Sequence, residues 1–135
     1  MRRPLGLHQL SAMDLTPIEL IEAAAACGYD QVSLFTNAPA VPIAGQEGKF
    51  VFPTVTPEMK REVQARLDAH GLRTINAEFF LMRPDVDLAS YIPGLALGRE
   101  LGAGNAITHV FEADPARAGD ILGAFCDIAA GEDMH

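Results

Sequence analysis

Three times in this chain a glycine is followed by a short apolar run, and this repeat constrains the fold more than any other feature. Gly28 opens GYDQVSLF, Gly71 opens GLRTINAEF and Gly104 opens GNAITHVF. A glycine before such a run marks the left-handed stop of a helix, a backbone state that a Cβ makes costly. The β-branched and aromatic residues of the runs favour buried strands. Alternation along a strand divides each run into two faces. Val32 and Leu34, Ile75 and Ala77, and Thr108 and Val110 fall on one face. Gln31, Ser33 and Phe35, then Thr74, Asn76 and Glu78, then Ile107, His109 and Phe111 fall on the other. The first set predicts a face covered by helices, and the second a mixed face whose chemistry lies toward the far end of each strand. Such a pair of faces suits parallel strands rolled toward a barrel.

Helix signals stand between the strands. Leu5 to Leu10 reads as the first strand, with Leu5 and Leu7 outward and His8 inward. Thr16-Pro17-Ile18-Glu19 has the form of a capping box with proline in the first turn. The helix it opens runs to about Cys27, with Ile18, Ile21 and Ala25 on one face and Glu19 and Glu22 turned to water. Thr56-Pro57 repeats the device, and Met59, Val63 and Leu67 share a face of the second helix. His70 closes that helix, where a cation suits the dipole. A third helix is expected near Asp87, started late or kinked by Pro93, Gly94 and Gly98. Asp114 and Pro115 cap a fourth, whose apolar stripe is Ala118, Ile121, Leu122, Phe125, Ile128 and Ala129. Between Asn37 and Val55, prolines and glycines break all periodicity. Loops of that length in compact domains are more often functional than idle. Phe50, Val51 and Phe52 within it read equally as a lid or pocket wall and as a short extra strand.

Four β-α repeats imply a parallel sheet with right-handed crossovers. Two architectures fit, an open doubly wound sheet and part of an eightfold barrel. The turn after the first strand, QLSAMDLTP, lacks the phosphate-cradling G-x-G-x-x-G of the former. A complete barrel takes about 250 residues, of which four units make half. With 135 residues, 49% of them hydrophobic, the chain has enough for one domain with a real core. Its net charge of -8 argues against a nucleic-acid partner. Cys27 and Cys126 lie far apart in helical patterns and read as small buried hydrophobes. No run approaches a membrane span and no signal-peptide pattern appears, so the expected location is cytoplasmic.

The stretch LGLHQLSAMDLTPIELIEAAAACGYDQVSLF carries His8 in its strand, a helix ending in alanines and the Gly28-Tyr29-Asp30-Gln31-Val32 entry to the second strand. It resembles the opening of the sugar-phosphate isomerase/epimerase family, xylose-isomerase-like TIM barrels that include AP endonuclease family 2-like members. GLRTINAEF and LGAGNAITHVF resemble that family's third and fourth strands. The resemblance spans nearly the whole chain. It implies an α/β fold of the (β/α) TIM-barrel type, residues 1–135 forming a single domain, the N-terminal half of a (β/α)8 barrel, truncated where the fifth strand should begin. It also implies an isomerase or epimerase by descent, inactive as this fragment alone. The family's divalent metal is held mainly by residues of strands five to eight, which also supply the catalytic acids, so both are expected outside this chain. What remains is the substrate-side half of the pocket, for a small sugar or keto-acid.

Active sites of such barrels lie at the C-terminal ends of the strands, where His8, Glu78 and His109 stand as candidate substrate-binding residues. Sugar hydroxyls and carbonyls need hydrogen-bonding groups of this kind. An inward carboxylate among apolar strands is costly without a cation, donor or water, which favours a pocket role for Glu78. His8 and His109 also fit hydrogen-bonded core positions. The resemblance makes His109 a possible metal ligand, because some relatives use the fourth strand's histidine so. Where those relatives carry another histidine on the third strand, this chain has Glu78-Phe79, which weakens a multi-metal, endonuclease-like reading. Glu112 and Asp114 are explained as cap and solvent residues, and Arg83 as a solvated loop arginine. Two other readings remain: a half-barrel that dimerises or joins a companion half through its open edges, and a small open-sheet binding domain without catalysis.

Overall fold

The computed structural model describes residues 2–38 and 51–135. Most of the loop between Asn37 and Val55, with Phe50, lies outside the described residues. The elements run β1 (Gly6–His8), α1 (Pro17–Ala26), β2 (Gln31–Phe35), α2 (Lys60–His70), β3 (Arg73–Met82), α3 (Ile92–Glu100), β4 (Asn105–Val110) and α4 (Pro115–Gly131). Three 3-10 turns interleave, at Gln9–Ser11, Pro57–Met59 and Leu88–Tyr91. The four strands form one parallel sheet in chain order. Helices cover one face of it. Val32 and Leu34 pack among Leu20, Ile21 and Ala24 of α1 and Val63 and Leu67 of α2. Ala77, Phe80 and Met82 pack with Tyr91, Leu95, Phe125 and Ala129.

Local chemistry explains most boundaries. Thr16 and Glu19 form the reciprocal capping box, with Thr16 Oγ1 accepting from the Glu19 N–H (3.3 Å) and Glu19 Oε2 from the Thr16 N–H (2.8 Å). Gly71 ends α2 at φ +65°, and His70 in its last turn meets Glu22 of α1 at 2.9 Å. The third helix does start late: Asp87 caps a 3-10 turn, and α3 begins only at Ile92 with Pro93 in its first turn. There α3 lies against the sheet so closely that a methyl at Gly98 would overlap the Cβ of Ala77. A methyl at Gly94 would stand 3.0 Å from the Thr36 carbonyl.

Several expectations are corrected. β1 is only Gly6–His8, because the chain turns at Gln9–Ser11 and leaves Leu10 exposed. Thr56 precedes a 3-10 turn and makes no side-chain cap bond. Cys27 and Cys126 are both exposed, the first at the C-cap of α1 and the second within α4, beside a cleft shared with Ala106 and Thr108 of β4. β3 continues to Met82, and its alternation is re-phased twice. Val32 pairs with Thr74 but Ser33 with Asn76, so Ile75 is an extra residue against β2. Ile75 thus reaches the inner face, where a methyl at Gly6 would stand 3.4 Å from its Cδ1, while Thr74 is buried in a cleft with Leu67 and Leu101. Ala77 pairs with Ala106 but Phe80 with Thr108, so Glu78 and Phe79 together stand opposite one residue of β4. The peptide bond between them is cis.

The outer edges of the sheet are β1 and β4. Along β4, the backbone of His135 brackets Asn105: its N–H donates to the Gly104 carbonyl (2.9 Å) and its carbonyl accepts from the Ala106 N–H (2.8 Å). Among the described residues no helix is long and apolar enough to cross a membrane.

Candidate functional site

The C-terminal ends of β1 and β4 and the middle of β3, level with the end of β2 at Phe35, bring the three predicted residues to one region of the inner face. Glu78 is 1% exposed, and its Oε1 lies 2.7 Å from His8 Nε2. The approach is close, but the imidazole N–H is not aimed along it. Among the described residues neither Glu78 oxygen has an aligned hydrogen-bond donor, and His109 Nε2 is likewise buried without a partner. Burial pushes the Glu78 carboxyl up to about 7. Burial also holds the His8 imidazole below its ordinary value, and a charge on nearby His109 would lower it further.

The backbone holds the site from below and behind. The Leu10 N–H donates to His8 Nδ1 at 3.0 Å. Gln9, fully buried, ties the turn that follows β1 by donating from Nε2 to the carbonyls of Ala12 (3.2 Å) and Leu15 (3.0 Å). On β3 the Glu78 carbonyl accepts from the N–H groups of Thr36 and Asn37. Asn37 returns a side-chain bond to the Phe79 carbonyl at 2.7 Å. One layer lower, Asn76 Nδ2 donates to Ser33 Oγ at 3.1 Å.

A wall of rings stands beside Glu78. Phe79 lies 4.2 Å from His109 between ring centroids, tilted 33°. Phe52 stacks on it from 5.8 Å, and Phe35 meets both Phe52 and Phe79 edge-on. Phe52 therefore packs on the rings of Phe35 and Phe79, and Thr54 bridges to Phe35 just beyond it. Strict alternation had hidden Phe79, because it places a residue adjacent to Glu78 on the opposite face. The bulge on β3 lets both neighbours reach the inner face of the sheet. No sequence signal marks that bulge.

The other candidates stay outside. Asp114 caps α4, and Glu112 accepts from the Asp114 N–H (2.8 Å) and pairs with Arg117. Arg83 is 41% exposed and lies 3.8 Å from Asp85. Among the described residues no group of three or more His, Cys, Asp or Glu side chains is placed to hold a metal ion. His109 thus has no ligand set here to join, and these residues do not fit a metal centre by themselves.

No protein-family model matches the chain, and no curated protein does. Solved structures do. A xylose isomerase domain protein from Salmonella typhimurium superposes with a TM-score of 0.69 at 12% identity, over 97% of this chain and 47% of its own. A xylose isomerase-like TIM barrel/4-hydroxyphenylpyruvate dioxygenase fusion protein gives 0.69 at 20% identity, over 100% of this chain and 21% of its own. A sugar phosphate isomerase/epimerase from Parabacteroides distasonis gives 0.55 at 13% identity, over 98% of this chain and 49% of its own. Apart from the fusion protein, the chain spans about half the length of these structures. With its parallel strands in chain order and a helix after each, the chain has the α/β fold of about half a xylose-isomerase-like TIM barrel.

Proposed function

We propose that this chain is the N-terminal half of a sugar or sugar-phosphate isomerase/epimerase-like barrel and supplies the substrate-side half of its pocket. The observation that carries the reading is the convergence of His8, Glu78 and His109 on one region of the inner face, with three buried polar atoms unmatched among the described residues. Hydroxyl and carbonyl groups of a sugar or keto-acid would satisfy those atoms, and the hydrocarbon face of such a molecule suits the Phe35, Phe52 and Phe79 wall. Proton transfer beside a carbonyl is the reaction class to which such a pocket belongs. Any metal that serves that chemistry would be held mainly by the other half of the barrel, and among the described residues no group of three or more ligating side chains is placed to hold one. A cytoplasmic setting is supported by the free, exposed thiols of Cys27 and Cys126, which a reducing compartment preserves.

The test is ligand-observed NMR of the 135-residue chain with a panel of aldoses, ketoses, their phosphate esters and 2-keto acids. Saturation transfer to at least one member, lost in Glu78→Ala and kept in Arg83→Ala, is the expected result. Transfer to none, or transfer indifferent to Glu78, overturns it.

A second reading, an assembly module, is favoured by where apolar surface remains. Leu5 and Leu10 flank β1, and Val110 and Phe111 end β4; all four are exposed large hydrophobics beside the two edge strands. A second copy or a companion half-barrel would cover them.

A further inference from the structure

We infer that Glu78 is the proton-exchanging group of this site and that His8 is a positioning residue held in one tautomer. The inference deepens the sugar-pocket reading, on which it rests only for the identity of the molecule that exchanges the proton. The argument starts at Leu10. A backbone N–H can only donate, so its 3.0 Å bond to His8 Nδ1 leaves that nitrogen as the acceptor. The imidazole proton therefore sits on Nε2, the nitrogen 2.7 Å from Glu78 Oε1. Protonating Nδ1 would cost the Leu10 bond and put a cation in a half-buried position facing His109. The lock is built into the turn, since Gln9 fastens the 3-10 segment that carries Leu10 to Ala12 and Leu15.

His8 is thus a fixed neutral imidazole and has no proton to relay, because giving up the one on Nε2 would leave an imidazolate. Glu78 is different. Its carboxyl is buried, neither oxygen has an aligned donor among the described residues, and the ring wall excludes water from one side. Among the described residues His8 on β1 lies 2.7 Å from it, His109 on β4 packs on the adjoining Phe79 ring, and Phe35 of β2 is its strand partner. The cost of ionising it in this setting is what raises it to about 7, where it can change state near neutral pH. The acid form passes its proton to a substrate oxygen as negative charge gathers there. The O–H bond of Glu78 breaks, an oxygen lone pair of the substrate forms the new O–H bond, and the carboxylate left behind stands 2.7 Å from His8 Nε2. The reverse transfer restores the acid.

The experiment is a pH series of 13C and 15N NMR spectra on the 135-residue chain, without ligand, with His8→Asn and His8→Leu alongside. The expected result is a Glu78 carboxyl carbon that titrates near 7 while His8 shows the Nε2–H tautomer throughout. His8→Asn, which keeps a side-chain N–H, should leave the Glu78 titration close to wild type, and His8→Leu should move it further up. A Glu78 titration near the ordinary 4.5, or a His8 protonated at Nδ1 at neutral pH, overturns the assignment. Because no sugar enters this measurement, a chain that titrates as expected and binds no sugar refutes the sugar-pocket reading alone.

Discussion

At the scale of single residues, the Glu78 carboxyl ties the site to stability. Its pKa is raised in the folded state from 4.5 to about 7, so between those values the native chain holds a proton that the unfolded chain has released. Stability must fall as pH rises through that window and level off above it. A shift of that size corresponds to a penalty on the order of 3 kcal/mol at pH 8. Glu78→Gln removes the penalty, so urea unfolding should find the variant more stable than wild type at pH 8, with the gap closing toward pH 4.5. An equal gap at both pH values would mean that the carboxyl ionises as freely folded as unfolded. The placement of His8, Glu78 and His109 on the inner face was legible in the sequence, because inward polar side chains stand out against apolar neighbours. The partners that define their chemistry were not. The Leu10 N–H that fixes the His8 tautomer belongs to a turn where the sequence read as strand, and strict alternation gave no reason to place Phe79 beside Glu78.

At the scale of elements, the helices and the strands differ in how far their patterns carry. Capping residues act within a single turn, so Thr16 with Glu19 and Asp114 with Pro115 announced α1 and α4 correctly. A strand's phase depends on its neighbours, and β3 takes an extra residue against each of them. The first extra residue turned Ile75 and Thr74 about, and the second put Glu78 and Phe79 on the same side. Helix α3 is specified differently, by the absence of side chains. Gly98 faces Ala77 so closely that any Cβ must push the helix away from the sheet. Gly98→Ala should therefore cost about 1–3 kcal/mol despite the better helix propensity of alanine, as read from the midpoint of urea unfolding. A stabilised variant would show that α3 does not sit where this packing places it.

At the scale of the whole molecule, half a barrel leaves two strand edges and an inner face to be completed. Part of one edge is already taken, since His135 pairs beside Asn105 and the open stretch of β4 begins above Ala106. Phe111, 63% exposed, stands at the end of that stretch. Assembly through the edges predicts that the chain self-associates in light scattering and that Phe111→Ser weakens the association. A wild-type chain that stays monomeric at high concentration supports the small open-sheet domain instead. The neighbour order of the sheet has a consequence in time as well as in space. Because the strands lie side by side in the order of synthesis, each new one finds its partner already made. The pocket does not share that advantage. Glu78 draws His8 from the first unit and its ring wall partly from the fourth, so a nascent chain acquires the sheet progressively and the site only at the last docking.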